Sequence, residues 1–132
     1  MNKLKILLVD DDKDILDVLG VLFETDGHDV RFAENYNEAL ALVETESFDL
    51  VLTDYRMPRM HGLYLLEMVK DLCPDLPVVI MTAYQTEEMK KEAKRKGAAL
   101  LITKPFAYDE VMSAIRKVMR KCRSRDGAKK PS

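Results

Sequence analysis

Two cysteines, two histidines, no tryptophan and only five glycines in 132 residues remove several function classes before any motif is read. Cys73 and Cys122 stand alone, without C-x-x-C or Cys/His spacing, so they read as structural thiols, and a domain of this length needs no disulfide to fold. No apolar run exceeds strand length. The longest, such as Ile6 to Val9 and Val78 to Met81, fall far short of the roughly 20 residues a membrane helix requires. The N-terminus lacks an apolar secretory core followed by a small-residue cleavage site, which makes the cytoplasm the expected compartment and leaves no membrane partner to look for. Missing as well are a Ser-His-Asp set, a glycine-rich phosphate loop ending in Lys-Ser/Thr and a histidine pair at metal spacing.

What is present is ordinary in bulk: 47% apolar and 33% charged residues, spread along the chain, suit one globular domain with a real core. The formal charge of −2 favours neither a nucleic acid nor a membrane surface. The charge is unevenly placed. From Arg116 onward eight basic residues stand against Asp126, a formal +7 that leaves −9 for the rest. That basic end suits the C-terminus of a helix running into a solvated tail, so nucleic-acid binding is not expected of this domain itself.

Hydrophobic periodicity divides the chain into five strand-type runs, each followed by a helical segment. Leu4 to Val9 is continuously apolar, as in a strand buried on both faces. Ile15, Leu16, Val18, Leu19, Leu22 and Phe23 then form the stripe of an amphipathic helix that Gly27 closes. A second strand, His28 to Ala33, leads to Asn35, a candidate N-cap whose partner in a capping box would be Glu38. The third run, Phe48 to Thr53, ends in Asp54, and a loop with Pro58 and Gly62 precedes a helix carrying Leu65, Leu66, Met68, Val69 and Leu72. Val78 to Thr82 is the fourth strand. The helix after it, Thr86 to Lys96, has little beyond Met89 and Ala93 to bury and should be the least firmly held. Ala98 to Thr103 is the fifth strand, and Val111, Ala114, Ile115 and Val118 line the last helix. The expected domain spans residues 1–122, with 123–132 as tail or linker. Strict alternation implies right-handed crossovers and a doubly wound α/β parallel sheet, whose ligands bind at the carboxyl ends of the strands.

Those ends carry Asp10, Asp11 and Asp12 after the first strand, Asp54 after the third, Thr82 after the fourth and Lys104-Pro105 after the fifth. Several carboxylates in one crevice repel one another unless protonated or bridged by a cation, and Mg²⁺ is a hard ion that takes carboxylates, waters and phosphate oxygens. A carboxylate can be the nucleophile of phosphoryl transfer, which otherwise needs alignment and charge neutralisation. The roles follow: Asp54 attacks, Asp11 and Asp54 hold Mg²⁺ with Asp10 acting mainly through its waters, Lys104 pairs with one phosphoryl oxygen and Thr82 hydrogen-bonds another. Asp12 reads better as N-cap of the first helix than as a ligand. A calcium loop starting at Asp10 is rejected, because Ile15 stands where glycine is needed and Val21 where the bidentate glutamate belongs.

In order and spacing, ILLVDDD (Ile6 to Asp12), DLVLTDYRMPRMHG (Asp49 to Gly62), VVIMTAY (Val78 to Tyr84) and KPF (Lys104 to Phe106) resemble the receiver domains of two-component response regulators, from about Lys5 to Met119. The resemblance implies a flavodoxin-like (βα)5 fold with strand order 2-1-3-4-5, and a phosphoryl group taken from a sensor histidine kinase, a phosphotransfer protein or a small donor. It also implies a backbone carbonyl of Arg56 in the metal site, a cis Lys104-Pro105 peptide and signalling to an output domain or protein target. Homodimerisation through the fourth and fifth helices stays open, as does whether the receiver is free-standing or part of a longer regulator. Three positions depart from the family pattern. Leu101 stands where an aromatic reporter is usual, so a rotating ring cannot be the signal; Tyr84, two past Thr82, is a candidate to take part instead, with an ordinary surface tyrosine as the plainer reading. His61 reads as an inert loop residue, and Arg56 is long and cationic where water must approach, which implies slow self-dephosphorylation. The alternative of another class is a haloacid-dehalogenase-like phosphatase. It would need its nucleophile on the first strand, Thr or Val at Asp14, and an acidic pair where Phe106 and Ala107 stand. A flavodoxin-like binding module would need a hydroxyl- or glycine-rich loop in place of Asp10 to Asp12.

Overall fold

Strands that are apolar on both faces must be covered twice, and the chain achieves this by placing helices on both sides of one sheet. The computed structural model describes residues 3–57, 60–83 and 85–129. Its main sheet comprises β1 (Lys5–Val9), β2 (Asp29–Ala33), β3 (Leu50–Asp54), β4 (Val78–Thr82) and β5 (Leu100–Thr103). All neighbours pair in parallel in the order β2-β1-β3-β4-β5, as the alternation and the family resemblance imply. The helices are α1 (Lys13–Thr25), α2 (Tyr36–Thr45), α3 (Gly62–Leu72), α4 (Glu87–Arg95) and α5 (Tyr108–Lys129).

Successive residues of a strand point to opposite faces, and the core divides accordingly. Leu7, Val9, Val51, Val78 and Ile80 pack with Leu40, Val43, Leu65, Leu66 and Val69 of α2 and α3. Ile6, Leu8, Leu50, Leu52, Val79 and Met81 pack with Leu19 and Phe23 of α1 and with Val111, Ile115 and Val118 of α5.

Local signals hold at most helix ends. Asp12 caps α1 by accepting the Asp14 N–H at 3.0 Å, Asn35 caps α2 through the Glu38 N–H at 2.9 Å, and Thr86 caps α4 through the Met89 N–H at 3.0 Å. The return arm of the expected box lands one residue early, since the Glu38 carboxylate accepts from the Glu34 N–H at 2.7 Å. Gly27 and Gly97 take φ of 91° and 99°. Their conformation lets the His28 and Ala98 N–H groups reach back to the Phe23 and Ala93 carbonyls and close α1 and α4.

Two features differ from the sequence reading. The stretch after Asp54 is not all loop, because Arg56–Met57 and Met60–His61 pair as a short antiparallel hairpin. The last helix does not give way to a tail near Arg123. It continues to Lys129, through arginines, lysines and an alanine that favour helix, and the first proline beyond it is Pro131. Only Ala93 of α4 is buried, as its charged sequence implies. No helix among the described residues is long and apolar enough to cross a membrane.

Candidate functional site

The parallel register brings the strand ends to one edge of the sheet. Asp10 follows β1 and is fully buried; its Oδ1 accepts the Asp12 N–H at 2.9 Å, which fixes the carboxylate against the start of α1. Asp54 ends β3, and its register partner on β4 is Met81, so Thr82 lies one residue beyond it at the same edge. Thr82 in turn is aligned with Thr103 on β5. The next residue, Lys104, donates its backbone N–H to the Thr82 carbonyl at 2.7 Å. These pairings aim the Lys104 side chain between two strands, where Nζ stands 2.9 Å from Asp10 Oδ2 and 3.0 Å from Asp54 Oδ1.

Asp11, exposed at the rim, adds a third carboxylate, and oxygens of Asp10, Asp11 and Asp54 lie within 4.8 Å of one another. One ammonium against three carboxylates leaves two negative charges uncancelled. The donor set is all oxygen, partly buried and open on the Asp11 side, which fits a hard divalent cation that keeps some of its waters. The charges perturb one another. Burial pushes the Asp10 carboxyl above its ordinary value, aided by the neighbouring Asp54 charge and opposed by the Asp12 N–H and Lys104. For Lys104 burial alone would lower the value, but the hydrogen bonds to Asp10 and Asp54 outweigh it and the net shift is upward.

The other sequence candidates are placed as follows. The Lys104-Pro105 peptide is cis. Leu101 is half-buried and packs on the α2/α3 face of the core. Arg56 is exposed in the short hairpin, two residues past Asp54. Tyr84 lies outside the described residues, as do the side chains of His61 and Cys122. Gly62 was named in the sequence only as a loop residue, yet it holds the site's floor. Its N–H bonds the Tyr55 carbonyl at 2.6 Å, and a Cβ there would stand 2.7 Å from the Asp54 carbonyl oxygen. An isolated glycine just before an apolar helical stripe was the available signal for such a close approach.

Comparison with known proteins matches residues 6–116 to the model of the response regulator receiver domain. The chain belongs to the response regulator receiver family. Among relatives of this receiver, the transcriptional regulatory protein ZraR of Salmonella typhimurium is 38% identical over 131 residues, 99% of this chain and 30% of ZraR. Sporulation initiation phosphotransferase F of Bacillus subtilis is 39% identical over 119 residues, 90% of this chain and 95% of that protein. A CheY-like receiver domain protein from Methanospirillum hungatei superposes with a TM-score of 0.89 at 31% identity, covering 94% of this chain and 99% of its own. The receiver thus spans less than a third of ZraR and nearly all of phosphotransferase F.

Receivers are signalling switches with a phosphoacceptor role in two-component systems, and members of the family bind Mg²⁺. The haloacid-dehalogenase-like alternative finds no support. The carboxylate after the first strand, where that chemistry would put its nucleophile, is fully buried and engaged by Lys104.

Replacing Lys104 with methionine leaves two neighbouring carboxylates without their cation. Urea unfolding of the metal-free protein at neutral pH should show a loss of about 2–3 kcal/mol, less than a fully buried pair because Asp54 still reaches solvent. The folded-state value of Lys104 lies above the ordinary 10.5, so its contribution is complete below 10.5 and disappears as pH rises through that higher value. The gap between parent and variant should therefore close at strongly alkaline pH; a gap that persists there contradicts the assigned pairing.

Proposed function

We propose that Asp54 is the phosphoacceptor, and that Lys104 and Thr82 are the groups that receive the phosphoryl oxygens. The observation that carries this reading is the single ammonium shared by Asp10 and Asp54 at the carboxyl edge of the sheet. In the transfer, an Asp54 carboxylate oxygen attacks phosphorus while the bond from phosphorus to the donor's leaving atom breaks, giving an acyl phosphate on Asp54 and the freed donor. Asp11 and Asp54 would hold Mg²⁺, with Asp10 acting mainly through its waters and the Arg56 backbone carbonyl completing the set; the ion would neutralise charge on the transferring oxygens. Lys104 leaves its carboxylate partners in part to pair with one phosphoryl oxygen, and Thr82, at the adjoining strand end, donates to another.

The signal is a change of shape. Thr82 and Lys104 move toward the phosphoryl group, and α4, which buries only Ala93, repositions with its flanking loops. Half-buried Leu101 cannot act as an aromatic reporter, and Tyr84 is a candidate participant. A partner that binds the phosphorylated state more tightly is then recruited. The donor is a sensor histidine kinase or phosphotransfer protein, and the recipient of the signal an output domain or separate protein target, in the cytoplasm. Residues 1–122 are the receiver unit and 123–132 its tail or linker, of which 123–129 continue α5, with homodimerisation through α4 and α5 as an available arrangement. The receiver catalyses only its own phosphorylation and dephosphorylation.

Incubation with an acyl phosphate and Mg²⁺ should label the protein with one phosphoryl group per chain, stable in acid and labile in base. Asp54→Asn should abolish the label, and so should chelation of the metal; turnover of a small phosphate ester without a stable label would contradict the reading. Once formed, the label should be lost slowly, because Arg56, exposed and two residues past Asp54, is a long cationic side chain at the position where, by the family resemblance, water must approach. Arg56→Asn should shorten the phosphoryl half-life several-fold, and equal half-lives would remove Arg56 from the account.

A further inference from the structure

α4 has so little apolar contact that its position depends on what grips its two ends. At the C-terminal end Lys96 pairs with Glu67 of α3 and with Glu92 of its own helix. At the N-terminal end, where half-buried Met89 packs on the core, a polar contact adds to the grip: Gln85, the residue before the Thr86 cap, donates its side-chain Nε2–H to the Thr103 hydroxyl at 2.6 Å. Thr103 is the last residue of β5, the register partner of Thr82 and the chain neighbour of Lys104. A bond between residues 85 and 103 therefore ties the segment running from Thr82 to α4 onto the strand end that bears Lys104. Neither partner belongs to the phosphoacceptor centre, and Leu101 has no polar atom in its side chain with which to make a comparable link.

We propose that the Gln85–Thr103 hydrogen bond is a latch holding Gln85 and the start of α4 in their unphosphorylated position. Gln85 and Thr103 are then positioning residues for phosphoryl capture. Motion of Thr82 toward a phosphoryl group on Asp54 draws Gln85 and Thr86 away from the end of β5 and parts the Gln85 and Thr103 side chains, so the bond favours the resting arrangement. Thr103 is exposed and Gln85 half-buried, so water competes for both groups, and a neutral hydrogen bond of this kind biases an equilibrium by roughly two- to tenfold.

This inference rests on Asp54 as phosphoacceptor, and its test keeps the two apart. Thr103→Val removes the hydroxyl while keeping a β-branched side chain suited to a strand, and Thr103→Ser keeps the hydroxyl. Amide shifts of residues 83–101 are recorded for the parent and both variants, before and after labelling with acyl phosphate and Mg²⁺. Unlabelled Thr103→Val should move along the line from the parent's resting shifts to its phosphorylated shifts and accept label roughly two- to tenfold faster, whereas Thr103→Ser should stay with the parent. Thr103→Val remaining at the parent's positions, or Thr103→Ser moving equally far, overturns the latch and leaves the Asp54 assignment standing. Absence of label on the parent overturns both.

Discussion

The contact on which the rest depends is the Lys104 ammonium wedged between Asp10 and Asp54. Three segments separated by tens of residues meet there, and each arrives by the same device: a strand that runs parallel to its neighbours and ends at the same edge. The ammonium cancels one charge of three. A crevice with surplus negative charge, partly dry and lined with oxygen, suits a hard divalent cation. Burial of Asp10 sharpens this preference, since desolvation pushes its carboxyl above the ordinary value although one backbone N–H and one lysine favour the charged form.

Stability is distributed so that the site sits between firm and loose parts. β1, β3 and β4 are packed on both faces, and α1, α2, α3 and α5 each contribute several buried apolar residues. α4 contributes one, and its ends are held by polar side chains. A modest change in the position of Thr82 or Lys104 therefore meets its weakest resistance on the α4 side. In physical terms, the rigid sheet fixes where the carboxylates and Lys104 meet, and α4 is the helix most lightly held.

The sheet order, the caps Asp12 and Asn35, and the closing glycine Gly27 were legible because each is set by local chemistry or by hydrophobic period. The carboxylates and Lys104 were legible because parallel strands deliver their ends to one place, so that position in the pattern stands in for position in space. Other features were not. The extension of α5 to Lys129 was masked by a polar composition that reads as tail although arginine, lysine and alanine carry good helix propensity. The Gln85–Thr103 bond joins residues 18 apart, and the Tyr108 hydroxyl reaches Asp26 across 82. Such pairs leave no periodic trace, since any polar residue at an exposed strand or helix end looks the same until the fold brings it beside another.

The central claim, that these carboxylates form one cation site, is tested most directly by calorimetric titration of Mg²⁺ into the unphosphorylated protein and into Asp11→Asn. Asp11 is exposed at the rim, so its replacement should leave the fold intact. The account requires one ion per chain in the parent and an affinity lower by about tenfold or more in the variant. Mg²⁺ binding of equal strength in both proteins, or none in the parent, would contradict it.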